Sequence, residues 1–296
     1  MGQEQSIKFC GRLVTADDLA LIVEMATDFW GIPRTELAAT ICELLDWVRP
    51  NGQLKTNECL FFLEDLEARG LLKLPWKRNT VRGKARPIAR TQAAQEQAPI
   101  QGPLSHLGGV SLELVESKEQ DKLFKELVDR HHYLGYKNPF GARLRYLVKC
   151  SAGRVLGCLQ FTSPAWKVQA RDHWIGWADP VREAKLQHVV QNSRFLVLPW
   201  VRVPHLASHI LGQAARRLPT DWYGMYRLRP YLLETFVEER FAGTSYRASN
   251  WIRLGNTRGR GRMDRQHAND KAIKSVWVLP LHRRARAILK GSRLES

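Results

Sequence analysis

The stretch from Pro230 to Arg262, PYLLETFVEERFAGTSYRASNWIRLGNTRGRGR, constrains the fold more than any other part of the chain. Leu232, Leu233, Phe236 and Val237 enclose a single acid, Glu234, in an apolar run of strand length. A buried strand needs neighbours on both sides, so this part of the chain must build a sheet. Small residues around Gly243 make a turn, and Thr244 to Asn250 reads as a short helix holding Tyr246. Trp251 to Leu254 is extended again, and Gly255 to Arg262 is a glycine-arginine tail. A buried strand that delivers the chain to a polar helix start and a cationic loop is where a site is expected.

The preceding residues supply the rest of such a sheet. Val110 to Val115 reads as a strand, and Glu119 to His132 as a helix closed by His131-His132-Tyr133-Leu134-Gly135-Tyr136. Leu144 to Cys150 and Arg154 to Phe161 form a hairpin across Ser151-Ala152-Gly153. Lys185 to Gln191 is a candidate helix, and Asn192-Ser193-Arg194 leads into a buried strand from Phe195 to Leu198. Leu206 to Leu218 is an amphipathic helix. Nearer the start, apolar stripes predict helices over Asp17 to Phe29, Glu36 to Val48 and Asn57 to Arg69, with Thr35 and Thr56 as N-caps. Leu71 to Pro75 is extended, which completes a winged-helix-like outline. Residues 77–104, rich in Arg, Gln, Ala and Pro, lack periodicity and read as a flexible basic linker. The expected class is α+β: a winged-helix-like helical module over residues 1–76, the linker, and a mixed α/β sheet domain over 105–296.

Charge separates the two modules. Residues 1–75 hold 7 Lys/Arg against 12 Asp/Glu, a net of −5, whereas the remainder carries +22 of the chain's +17 total. A polyanion such as DNA is therefore the expected partner, and the second module is expected to hold it. The third helix, with Glu58, Glu64, Asp65 and Glu67, would repel phosphates; a DNA-reading helix and a packing module both stand as readings of it. The five cysteines contain no CxxC pair, so no zinc framework is visible and reduced thiols are expected. Neither a signal-like run nor 18 consecutive apolar residues occurs, which points to a cytoplasmic protein without a membrane partner.

Several constellations carry possible chemistry. Asp172, Glu234 and Glu238 are candidates for an acidic cluster that holds a divalent metal such as Mg²⁺ for strand cleavage; the other reading pairs them with arginines. Tyr246 reads either as a nucleophile on phosphorus, with His131 and His132 orienting metal or phosphate, or as a core tyrosine beside Trp251. The arginines Arg253, Arg258, Arg260 and Arg262, spaced by Gly255, Gly259 and Gly261, suit phosphate oxygens, with Arg171, Arg194, Asn250 and Trp251 as further nucleic-acid contacts.

The order of elements over roughly residues 110–280 resembles the GNAT acyltransferase scaffold, which places a general-acid tyrosine at Tyr246 and a CoA pyrophosphate near Val203 to Ser208. The scaffold's glycine-rich turn is missing there. His131-His132-Tyr133-Leu134-Gly135, Arg171-Asp172, Asn192-Ser193-Arg194-Phe195-Leu196, Glu234-Thr235-Phe236-Val237 and Gly243-Thr244-x-Tyr246-x-Ala248-x-Asn250-Trp251 are similar to motifs of the DruA family. That resemblance implies a component of the Druantia anti-phage system, or of a mobile-element setting, working with other defence proteins; DNA as the partner is the expectation from charge. DNA binding without turnover, metal-dependent nicking and acyl transfer all follow as alternatives.

Overall fold

The computed structural model describes residues 7–49, 52–75, 87–139, 141–257 and 272–291. The chain forms two compact units, Met1–Arg86 and Pro87–Ser296. In the first, a hairpin of β1 (Lys8–Phe9) and β2 (Arg12–Leu13) precedes α1 (Ala16–Asp28), α2 (Arg34–Leu44) and α3 (Thr56–Ala68). Thr15 and Asp18 close a capping box on α1, satisfying backbone donors that would otherwise be orphaned. Ile22, Leu37, Ile41, Leu63 and Leu66 are fully buried between the helices, and Phe9 stacks on Trp47 with ring centroids 3.8 Å apart.

Three expectations for this unit need correction. Pro33, already at φ −60°, occupies the N-cap of α2 in place of Thr35, and Lys55 takes that position on α3, leaving Thr56 as its first helical residue. Leu71 to Pro75 pairs with no strand among the described residues. A side-chain clamp holds it instead: Arg34 donates to the Pro75 carbonyl at 2.6 Å and to Glu67 at 3.0 Å, and Glu67 accepts from the Leu74 amide. The acids of α3 are thus partly spent within the unit, with Glu58 on Arg49 and Asp65 on Arg69.

The second unit begins where a linker was expected to continue. From residue 87 the chain lies against the α/β body. A 3-10 turn (Gln92–Ala94) is tied down by Thr91, which donates through its amide and hydroxyl to the buried Glu126. Next comes β3 (Ile100–Gln101), and a second 3-10 turn (Leu104–Leu107) leads to β4 (Val110–Leu114). The composition reads as linker because these contacts are made by polar side chains, not by a periodic apolar face.

Then follow α4 (Lys118–His131), β5 (Arg143–Cys150), β6 (Val155–Thr162), α5 (Gln169–Ile175), α6 (Asp179–Lys185) and β7 (Val189–Val197). Residues 189–191, expected in a helix, are the first pairs of β7 with the next parallel strand. β8 (Val201–Arg202) pairs with β3, and α7 (Leu206–Tyr226) runs on through Pro219, two turns past its expected end. Burial of Leu218 and Trp222 against the sheet holds it helical across the proline. The chain closes with β9 (Leu232–Glu238), α8 (Thr244–Arg247), β10 (Ile252–Asn256), β11 (Lys274–Pro280) and α9 (Ala285–Lys290).

Seven strands make one mixed sheet in the order β10-β11-β9-β7-β6-β5-β4, antiparallel throughout except for the central pair β7 and β9. Strand, helix, hairpin, strand, helix, strand, tyrosine-bearing helix and strand follow in the order of the GNAT-like scaffold. The central parallel pair, joined by the α7 crossover, positions the candidate site.

Candidate functional site

Only Val189 to Gln191 of β7 pair with Leu232 to Glu234 of β9; beyond them the two strands part. β7 stays with β6 and β9 with β11, so a wedge opens in the middle of the sheet. Asn192 and Thr235 stand at the fork. The Thr235 hydroxyl donates to the Asn192 carbonyl at 3.0 Å. The buried Asn192 amide donates to the carbonyls of Gln160 and Arg194, and its Oδ1 accepts the Tyr246 hydroxyl at 2.9 Å. A bulge at Ser193, set between Phe161↔Asn192 and Gln160↔Arg194, turns these side chains from the ladder into the wedge. Tyr246 thereby closes the floor, edge-on to Trp251 at 5.1 Å, and burial raises its phenol well above the usual tyrosine range.

The wedge is a cleft of about 510 Å³, within the span of small-molecule sites. Its rim comes from the end of α4 and from the turn before α8. At Gly243, φ is 65° and a Cβ would sit 2.6 Å from the Trp277 ring, so this corner admits only glycine. His132 and Arg194 face the cleft, and none of its lining residues is acidic. His132 Nδ1 accepts from the Leu134 amide at 3.2 Å. Burial, with the charges of Arg194 and Lys274, brings its pKa down to about 4. The ring is therefore neutral at pH 7 with its proton on Nε2, which makes that nitrogen a donor. Arg194 donates to the carbonyls of Gly135 and Ser193 at 3.1 and 2.7 Å and has no carboxylate partner among the described residues. Burial lowers its pKa.

One wall of the rim is aromatic. His132 stacks on Tyr133 at 4.7 Å, and Phe241 lies 5.3 Å from Tyr133. The Arg240 guanidinium rests over both rings, 4.3 and 4.9 Å from their centroids. Phe241 and Arg240 lie over 100 residues beyond the His-His-Tyr segment, so no local sequence signal marks their meeting.

Asp172 and Glu234 do come together, but around an arginine. The fully buried Arg171 donates to Asp172 Oδ1 and, at 2.9 Å, to Glu234 Oε2. Glu234 Oε1 accepts the Ala165 amide, and Asp172 accepts the Val168 amide and the Trp177 indole N–H. Every oxygen of the two carboxylates has a donor. This corrects the expectation of a metal-binding acid pair, since a cation there would displace a buried guanidinium. Glu238, the third acid, pairs with Lys274 and Arg240. Among the described residues no group of three His, Cys, Asp or Glu is placed to hold a metal.

Of the expected nucleic-acid contacts, Arg171 and Trp251 are buried and Arg194 faces the cleft. Asn250, at φ 65°, and Arg253 are exposed. Arg258, Arg260 and Arg262 lie outside the described residues. For CoA, the residues between β7 and α7 fit poorly. Leu198 to Ser208 contains no glycine, and the left-handed position, at φ 62°, is taken by His205. Cβ atoms there stand where a pyrophosphate needs close backbone approach. Among the described residues no helix is long and apolar enough to cross a membrane.

The family model described as Druantia protein DruA matches residues 65–275. Among solved structures, the chain is similar to spermidine N-acetyltransferase from Vibrio cholerae in complex with CoA and spermine. That match is 8% identical with a TM-score of 0.37 and covers 57% of this chain and 94% of that one. It is also similar to nourseothricin acetyltransferase at 12% identity and a TM-score of 0.29, covering 47% of this chain and 66% of that one. No curated protein gives a significant match.

Proposed function

This chain belongs to the DruA family, and from that premise we propose that it is a DNA-binding component of an anti-phage defence system. In this reading the α/β unit grips phosphates and works beside other proteins of the system. The observation that carries it is the cleft at the β7–β9 fork, where Arg194 is held by two carbonyls and, among the described residues, no acid on the walls neutralises it. A half-buried cation that faces a cleft without a carboxylate suits an anion, and the surplus of +22 beyond residue 75 extends its attraction along a polyanion.

The test is purified protein on labelled single- and double-stranded DNA over a salt series, with and without Mg²⁺ or Mn²⁺, read on native and denaturing gels. Shifted and intact DNA, with affinity falling linearly on a log–log salt plot, supports the reading. Binding that ignores salt sinks it. Metal-dependent fragments would replace it with the nicking alternative, which would then need a catalytic set other than the Arg171-bound acids.

A further inference from the structure

We propose that the β7–β9 cleft receives one unstacked nucleotide of a DNA strand, with its base on the Tyr133–Phe241 wall and its phosphate on Arg194; this rests on the DNA-binding reading above. Three observations converge on that ligand class. First, the cleft's volume of about 510 Å³ suits a nucleotide and is far too small for a duplex. Second, its polar inner end offers donors and a positive charge but no carboxylate: Arg194 has no acidic partner, and the proton on His132 Nε2 points to no acceptor among the described residues. An anion with acceptor oxygens fits there, and a cationic substrate such as a polyamine does not.

Third, the outer wall offers exposed aromatic faces: Tyr133 and Phe241 are tilted 52° to one another, so a base stacks on one ring and meets the other at an angle. Tyr133 and Phe241 are large aromatics left 43% and 46% exposed, against the usual tendency of such rings to be covered. What rests on them is the Arg240 guanidinium, itself planar and 56% exposed at its side chain. A guanidinium over an aromatic face occupies the place a base takes when it stacks there. Among the described residues Arg240's ion-pair partner is Glu238 at 3.2 Å, so an entering base can displace it toward the strand's phosphates. Asn192, Tyr246 and Thr235 are engaged with one another at the floor. They define depth and leave little for base-edge readout, so the pocket tolerates any base.

The experiment is fluorescence anisotropy of the full chain with a labelled single strand and the matching duplex at one salt concentration, for wild type, Tyr133→Ala/Phe241→Ala and Tyr133→Trp. Both aromatic positions are surface-exposed, and thermal melts establish that the variants fold. The double alanine variant is expected to lose about fivefold or more in single-strand affinity, the lower end of what one stacked base contributes. Its duplex affinity should change by less than about twofold, and Tyr133→Trp should retain tight single-strand binding. Equal single-strand affinity in wild type and double variant would overturn the pocket while leaving DNA binding intact. Failure of the wild type to bind either DNA would overturn both readings together. In a competition arm, dAMP that displaces the strand only from proteins with an intact wall supports the proposal. Acetyl-CoA that binds the cleft where neither dAMP nor the single strand does would overturn it.

Discussion

Glu234 and Thr235 are neighbours on β9, and their side chains leave opposite faces of the sheet. On one face lies the Arg171–Asp172–Glu234 cluster, where each carboxylate oxygen meets a donor and Arg171 and Glu234 are fully buried. On the other lies the cleft, where among the described residues Arg194 has carbonyls but no acid and the His132 N–H meets no acceptor. The two arrangements use similar residues within one strand's width. A saturated polar cluster has no valence left for a ligand and serves the fold. An unsaturated one costs desolvation without return until something binds. Saturation, more than residue type, separates architecture from recognition here.

The sharpest way to break this comparison is Glu234→Ala. If the cluster is architectural, removing one partner leaves Arg171 buried and unpaired, and the α/β unit should lose about 3–5 kcal/mol in denaturant unfolding. A variant that unfolds like wild type yet loses a DNA-directed activity would return Glu234 to the catalytic role first considered for it. Next in size is the triple change Arg258→Ala, Arg260→Ala and Arg262→Ala, which asks whether the arginines of the glycine-arginine tail also grip phosphate. Binding should weaken roughly a hundredfold, and the log–log salt slope should fall by about 2–3 units. A lower affinity with an unchanged slope would argue that these arginines do not touch phosphates.

Much of this architecture was legible in the sequence, for identifiable reasons. The β5–β6 hairpin announced itself through two apolar runs and the Ser151–Gly153 turn, and β9 through the apolar residues on either side of Glu234 and Thr235. The cluster around Arg171 was half visible, since Arg171 and Asp172 are adjacent, but nothing local places Glu234 beside them. The cleft was less legible still. Its wedge depends on where two parallel strands stop pairing, and its aromatic wall joins Tyr133 to Phe241 through tertiary packing alone. α7 was read one proline short because Pro219 is locally a helix breaker, and burial of Leu218 and Trp222 outweighs that preference.

Tyr246→Phe probes the boundary between the two regimes. The hydroxyl sits at the cleft's floor but is already spent on Asn192, so it belongs with the saturated groups. Its loss should cost about 1 kcal/mol of stability, measured by denaturant unfolding, and leave DNA affinity within about twofold. A large loss of affinity without loss of stability would move Tyr246 into the recognition set.

The smallest expected effect belongs to His132, whose pKa of about 4 in the fold compares with an ordinary value near 6.5. Between these values the unfolded chain binds a proton that the folded chain does not. Stability must therefore fall as pH drops from about 6.5 to 4, with no contribution from this group above that window. Because the ring is only partly buried, solvent dilutes the effect to roughly 1 kcal/mol. His132→Gln, measured by unfolding at pH 7 and pH 4.5, should remove that share of the acid loss. The same proton reports on the ligand. An anion bound beside Arg194 would offset the local positive charge, raise the His132 pKa and shrink the acid penalty in the complex. If the pH profile of the DNA-bound protein matches that of the free protein, the charge at the end of the cleft is being satisfied by something other than DNA.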